Sequence, residues 1–361
     1  MTAATTVIGW DVGGAHVKAA LLRDGRLEAV RQLPCALWRG LHLLDAVIDE
    51  VLVNWDATRQ ANDLRHAVTM TGEMVDLFEH REDGVVRLAR HLALRLGPHL
   101  RLFAGSGEWL GSSDAAHRWQ ELASANWAAT ACLAASRIGE AMLVDIGSTT
   151  TDLVPIAGGR PQPAGSGDAQ RLQSGELVYH GVVRTPLCAL AQRIRFRGAQ
   201  YNVMNEWFAT TEDAYRLTGQ LDPAHDQHPA ADGGAKDAAG SRRRIARMIG
   251  HDARDASPED WQAFACEWRR HQVALLQVEL QRVESRSSAA RTAALIGAGC
   301  GHFLVRALAQ RLGRSYIGFD ELIDAPAGLR DWACVCAPAV AVAVLRDRAR
   351  AGGPGTSGSC S

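Results

Sequence analysis

The chain has 361 residues, enough for two domains that each bury a core of their own. Hydrophobic residues make up 47% and charged residues 22%, with a formal net charge of -1, which excludes a disordered chain. Nothing in that balance draws the chain to nucleic acid or to an anionic membrane. No apolar run approaches the roughly 20 residues that cross a bilayer. The first residues lack the basic start and apolar stretch of a signal peptide. A cytoplasmic protein with no membrane or nucleic-acid partner is therefore expected. The eight cysteines follow no disulfide spacing and read as buried, reduced thiols.

From the N-terminus, 6–10, 17–22 and 27–33 read as strands, with Asp24-Gly25 as a hairpin turn. Residues 41–55 have helical periodicity, with Leu44, Val47, Ile48 and Val51 on one stripe. A short strand over 66–70 runs into Thr71-Gly72-Glu73, and another is predicted over 100–103. One helix is predicted over 114–136, then strands over 141–144 and 151–156. Residues 221–255 are polar and rich in Gly, Ala and Asp; they read as a mobile insert up to Ser241, where a short helix begins. A long amphipathic helix over 261–286, a strand over 292–296 and a helix over 302–312 follow. A small-residue helix over 337–345 closes the fold, and 351–361 reads as a disordered tail. Trp127 and Trp207 are expected in the core.

Three loops carry the chemistry. In the first, an apolar strand ends at Asp11 and is followed by Gly13 and Gly14, with Lys18 farther on. Glycines let a ligand approach the backbone, and successive N–H groups can cradle phosphate oxygens. The aspartate suits a Mg2+ ligand or a base. The second loop repeats the grammar: Asp145, Gly147, then the hydroxyl run Ser148, Thr149, Thr150. Two such loops, one in each half, are far more specific than one, which alone is an ordinary hairpin turn. The third is a strand followed by Gly297, Ala298, Gly299 and a helix. It competes as a dinucleotide fingerprint, but its glycines are spaced GxGxG and it stands alone late in the chain.

With these three loops the chain resembles the actin/sugar-kinase/Hsp70 fold group. Within it, Asp145-Ile-Gly-Ser-Thr-Thr-Thr-Asp152 is most similar to the hydantoinase/oxoprolinase family. The segments 69–78, 123–127, 174–186 and 211–219 resemble tetrahydromethanopterin-linked one-carbon-transfer proteins and the synthases that build the aminomethylfuran–tyramine ether of methanofuran. The likeness spans roughly residues 6 to 345. It implies an α/β fold of two RNase-H-like domains of the actin-like ATPase type with an interdomain cleft. The first domain would cover 1–137 plus 331–350, the second 138–330. It also implies a transferase of methylofuran/methanofuran biosynthesis, in which a γ-glutamyltyramine-type phenol displaces pyrophosphate from an aminomethylfuran diphosphate. The alternatives are an ATP-dependent kinase or hydrolase, or a nucleotide-sensing partner of the same pathway.

Under this resemblance Asp11, Asp145 and Glu73 are the catalytic candidates. Asp11 and Asp145 are expected to face each other and hold one Mg2+. Gly13, Gly14, Lys18, Gly147, Ser148, Thr149, Thr150, Gly297 and Gly299 would bind phosphate or nucleotide; whether ATP is bound stays open. Glu176 and Arg184 are substrate contacts or an edge salt bridge. Lys236 and Arg244 would clamp the diphosphate from a lid, by the bidentate geometry that suits arginine. The partners implied are small molecules, with room for a homo-oligomer.

Overall fold

The computed structural model describes residues 5–56, 64–286 and 292–351. The chain divides into two compact units. The first comprises 1–141, 156–171 and 319–361, and the second 142–155 and 172–318. The division differs from the one read in the sequence: 156–171 joins the first unit, and the return to it falls at Phe319. Of the predicted tail, Ala351 closes the last helix and the rest lies outside the described residues.

The first unit is built on a six-stranded sheet in the order β3-β2-β1-β4-β5-β6. These strands are β1 (Thr6–Val12), β2 (His16–Arg23), β3 (Arg26–Pro34), β4 (Leu64–Met70), β5 (Leu100–Phe103) and β6 (Trp109–Leu110). β1 pairs antiparallel with β2 and parallel with β4. All seven residues of β1 are buried, as expected for a central strand covered on both faces. On one face Ile8, Trp10 and Val12 join a core with α1 (His42–Asn54) and α2 (Arg81–Leu96). The four predicted stripe residues of α1 are its buried ones. In that core the buried imidazole of His66 accepts from Trp10 Nε1 at 3.1 Å, and burial lowers its pKa to about 4, with His99 adding. A Cβ on Gly9 would lie 2.0 Å from the Ala339 carbonyl, so α11 (Ala337–Ala351) packs directly on β1.

The single helix predicted over 114–136 is three pieces: a 3-10 turn at Ser112–Ala116, α3 (Trp119–Leu122) and α4 (Asn126–Ala135). The path breaks at Ser124, whose φ of 50° is left-handed and ends a right-handed helix.

Most of a second sheet, in the order β10-β8-β7-β13-β14, lies in the second unit; β9 (Arg160–Pro161), in the 156–171 part of the first unit, pairs with Ile156 and Ala157 at the end of β8. This sheet's strands are β7 (Ala141–Ile146), β8 (Thr151–Ala157), β10 (Leu177–Val178), β13 (Ala294–Ala298) and β14 (Tyr316–Gly318). The order repeats that of β3-β2-β1-β4-β5. A second core gathers Phe196, Trp261, Phe264 and Trp268 between the hairpin β11 (Arg193–Phe196)–β12 (Ala199–Asn202) and α8 (Pro258–Glu284). Ser257 and Asp260 form a capping box at the start of α8, with Pro258 as its first residue. The remaining helices are α5 (Asp168–Ser174), α6 (Thr211–Leu217), α7 (Ala238–Arg247), α9 (His302–Leu312) and α10 (Arg330–Val335).

Four further expectations are corrected. Helix α7 begins at Ala238, capped by Asp237, three residues before Ser241. The segment before it is fastened by Lys236 and Asp232, as described below. Trp207 is 66% exposed, while Trp127 is buried. Cys266 is exposed, unlike the other described cysteines, which are buried or half-buried. Among the described residues no single helix is long and apolar enough to cross a membrane; 327–335 and 337–349 pass that test only as a pair bent by 105°.

Candidate functional site

In the first unit the loop after β1 is a tight hairpin: Gly13 N donates to the His16 carbonyl at 3.0 Å. Asp11 is the last strand residue but one, buried, with Oδ2 3.7 Å from Lys18 Nζ. Lys18 lies opposite Asp11 in the β1–β2 register, which explains the pair. The parallel pairing of β1 with β4 sets the Thr71-Gly72-Glu73 turn beside this loop: Thr71 N donates to the Val12 carbonyl at 2.9 Å. A Cβ on Gly14 would lie 2.6 Å from Val75. Thus Asp11, Gly13, Gly14, Lys18 and Glu73 gather at one edge of the first sheet.

Glu73 is 1% exposed. Its Oε1 accepts from Ser124 Oγ at 2.8 Å, and its Oε2 is buried with no hydrogen-bond partner among the described residues. Burial drives its pKa up to about 7; the Ser124 hydrogen bond and Arg81 pull the other way, and Asp168 adds to the rise. A carboxyl balanced near neutral pH is suited to proton transfer. Ser124 Oγ also lies 3.3 Å from Asp168 Oδ2, which accepts from Arg81 at 2.6 Å. Close by in sequence, the buried Arg171 guanidinium lies 3.9 Å over the Trp127 ring. Ser124 belongs to a segment already singled out by its sequence. Asp168 and Arg81 gave no local signal, because their roles depend on a contact across 87 residues. A cavity of about 610 Å³ elsewhere in this unit, lined by Arg101, Trp109 and Asp114 among others, holds none of these residues.

In the second unit the loop after β7 closes in the same way: Gly147 N donates to the Thr150 carbonyl at 2.8 Å. Asp145 is again buried, one residue before the strand end. Ser148 and Thr149 form the tip, with their hydroxyls 3.3 Å apart. Residues 181–184 run over that tip: Val182 N donates to the Gly147 carbonyl, and Val183 and Arg184 N to that of Ser148. A Cβ on Gly181 would lie 2.3 Å from Thr149 N, so this cover needs glycine. Arg184, exposed, donates through Nε to Thr149 Oγ1 at 2.6 Å. The third loop sits against the second. Gly299 has φ of 77°, and a Cβ there would lie 2.1 Å from the Ile146 carbonyl and 2.5 Å from Asp145 Oδ1. Gly297 packs likewise under the Tyr316 ring. The structure therefore brings together Asp145, Gly147, Ser148, Thr149, Thr150, Arg184, Gly297 and Gly299. Glu176 is buried in the adjoining turn, where its carbonyl accepts from Leu153 N.

Lys236 and Arg244 separate in role. Arg244 is fully buried: it donates to Asp213 Oδ1 at 2.9 Å, to Asp232 Oδ1 at 3.0 Å and to the Ala235 carbonyl. It is a strut that fixes 232–237 to α6, and the lid reading for Arg244 is corrected accordingly. Lys236 is exposed and pairs with Asp226 Oδ1 at 2.8 Å. Burial, with Arg184 and Lys236 nearby, lowers the His228 pKa to about 4, leaving it neutral against the opposing effect of Asp226. Beneath them burial and Asp226 raise Glu212 to about 9, so it carries the proton. Burial works against Asp226 too, but Glu212, Lys236 and Arg216 outweigh it and keep it ionised. Sequence reading missed this Glu212–Asp226 pair.

Asp11 and Asp145, each described within its own unit, are carboxylates, the hard oxygen donors that Mg2+ takes, and glycine at 299 keeps the backbone beside Asp145 Oδ1 clear of a side chain.

Two mixed sheets in one strand order, each with a glycine loop after its central strand, define a protein of the actin/sugar-kinase/Hsp70 fold class. Within that class the chain belongs to the hydantoinase/oxoprolinase family, whose sequence profile matches residues 65–348. It is 28% identical over 260 residues, 72% of this chain and 76% of the relative, to a Methanocaldococcus jannaschii protein. That protein is named as a synthase of the furan methanamine bearing a γ-L-glutamylaminoethyl-phenoxymethyl group. A Methanococcus vannielii protein of the same name is 31% identical over 145 residues, covering 40% of this chain and 65% of its own length. Among solved structures, nucleotide-free acetone carboxylase is similar over 94% of this chain and 70% of its own, with a TM-score of 0.56. At 13% identity that likeness concerns the fold alone.

Proposed function

We propose that the chain is a transferase that joins a γ-glutamyltyramine-type phenol to an aminomethylfuran diphosphate and releases pyrophosphate. The observation that carries this reading is Glu73, a buried carboxyl near neutrality with one oxygen unengaged by any described hydrogen bond. A phenol has an ordinary pKa near 10 and is a poor nucleophile until its proton is taken. Glu73 Oε2 accepts that proton. The phenol oxygen then bonds to the furfuryl methylene as the bond from that carbon to the diphosphate oxygen breaks. The Ser148 and Thr149 hydroxyls, backbone N–H groups of their loop and Arg184 hold the diphosphate and spread its growing charge. Asp11 and Asp145 are the residues that would hold Mg2+, which when bound neutralises diphosphate charge. Lys18 offsets the charge of Asp11. The names of the two relatives support the choice of substrates.

A second reading, an ATP-dependent kinase or hydrolase, is favoured by the packing of the 297–299 loop on Asp145. One assay separates the two. The protein is incubated with Mg2+ and ATP, then with the furfuryl diphosphate and the tyramine derivative, while orthophosphate and pyrophosphate are followed separately. Pyrophosphate release that requires the phenol is the expected result. Orthophosphate from ATP alone would transfer the assignment to the second reading.

A further inference from the structure

A base buried as deeply as Glu73 must return its proton to water in every turnover. Ser124 stands between Glu73 and Asp168, 2.8 Å from Glu73 Oε1 and 3.3 Å from Asp168 Oδ2. A hydroxyl has a single hydrogen, so Ser124 can donate to only one of the two carboxylates at a time, while its lone pairs can accept from the other. Asp168 leads outward: its side chain is 13% exposed and is held by Arg81, which is 35% exposed. The left-handed backbone at Ser124, in the break between α3 and α4, is an unusual conformation for a residue other than glycine. The Ser124 hydroxyl there lies within reach of both carboxylates. Arg81 and Asp168 are the charged groups that act on Glu73 there.

We propose that Ser124 and Asp168 form the proton exit path of Glu73. The inference rests on the reading of Glu73 as the base. The protonated Glu73 carboxyl turns over, which exchanges its two oxygens and brings the O–H to the position facing Ser124, and passes its proton to Ser124 Oγ while the original hydroxyl proton of Ser124 passes to Asp168 Oδ2. Glu73 is again a carboxylate, Ser124 is again a neutral alcohol, and Asp168 is a carboxylic acid that loses its proton to solvent. Only O–H bonds are made and broken. Arg81 is a positioning residue that aims Asp168 at the hydroxyl.

The test compares the first turnover, with enzyme in excess, with the steady state, using pyrophosphate release. Ser124→Ala should slow the steady state by roughly tenfold or more, the scale of a lost proton-transfer group, with a smaller loss in the first turnover. Added imidazole should restore the steady-state rate in proportion to its concentration, a response that a merely structural defect would not give. Asp168→Asn should behave alike. Equal losses in both phases with no response to imidazole, or a Ser124→Ala enzyme with wild-type turnover, would overturn the path. Glu73→Gln separates the two levels. An inactive Glu73→Gln enzyme beside an unimpaired Ser124→Ala enzyme refutes the path alone; a fully active Glu73→Gln enzyme refutes the base and the path together.

Discussion

Asp11 and Asp145 stand one residue before the end of a buried central strand, and each precedes a hairpin closed by the N–H of the following glycine. The loop tips between them and the next strand differ in kind. Gly14 and Ala15 form the first tip, and their carbonyls are taken by Leu37 and Cys35 N–H groups. Ser148 and Thr149 form the second, with Arg184 on the Thr149 hydroxyl. The first tip offers no side-chain donor, and the chemistry beside it is acid–base: Asp11 with Lys18, and Glu73 with Ser124. The second is a set of donors suited to an anion. Under the proposed function one backbone plan used twice thus supports two jobs, and the division is set by two tip residues and by what packs on them.

The largest effect expected concerns the limits of the anion-binding set. Arg244→Met removes the fully buried guanidinium from Asp213, which keeps Arg216 and Ser241 as partners, and should cost about 3 kcal/mol of stability in denaturant melts. Arg184→Lys should leave the melt unchanged and raise KM for the diphosphate. If the two variants behaved alike, Arg244 would belong with the donors after all. Asp11→Asn and Asp145→Asn test the shared plan. Each should lower kcat/KM by about two orders of magnitude, about 3 kcal/mol, with folding intact. Normal turnover and Mg2+ dependence in either variant would remove that loop from the chemistry.

Glu73 gives the first loop a pH signature. The rate should rise with pH through about 7, as the base ionises. Stability should run the other way. A carboxyl whose folded pKa lies above its unfolded value holds its proton more tightly when folded, so that contribution is complete below about 4.5 and is lost as pH rises through about 7. The loss is roughly 3 kcal/mol. Glu73→Gln should abolish both slopes, so that at pH 8 the inactive variant melts above the wild type. A variant that keeps the acid limb would assign it to another group. The smallest contrast lies in the second loop. Gly299→Ala should cost about 2 kcal/mol, because its Cβ would meet the Ile146 carbonyl. Gly147→Ala, whose Cβ would come no nearer than 3.5 Å to Thr150 O, should cost about 0.5 kcal/mol or less.

The strands and the glycine loops were legible in the sequence because alternation, turn residues and apolar stripes are local signals. The stripe of α1 and the start and end of α9 follow from them directly. The break at Ser124 was not legible, since Trp119 to Leu133 keep an apolar helical pattern across it, and only the meeting with Glu73 explains the left-handed residue. Arg244 misled for a related reason. It sits in an Arg-Arg-Arg run that reads as a solvated face, yet the helical turn of α7 directs it at Asp213. Helix α2 escaped because its apolar positions are diluted by charge, and Trp207 because an isolated aromatic says nothing of its exposure.

The central claim is that the phenol oxygen attacks carbon and not phosphorus. It is tested most directly with a tyramine derivative carrying a heavy isotope in its phenolic oxygen, incubated with the furfuryl diphosphate, Mg2+ and the protein, and analysed by mass spectrometry. The account predicts that the label is retained in the aryl ether, with unlabelled pyrophosphate formed in equal amount. Label found in a phosphorylated phenol, or pyrophosphate formed with no ether, would contradict it.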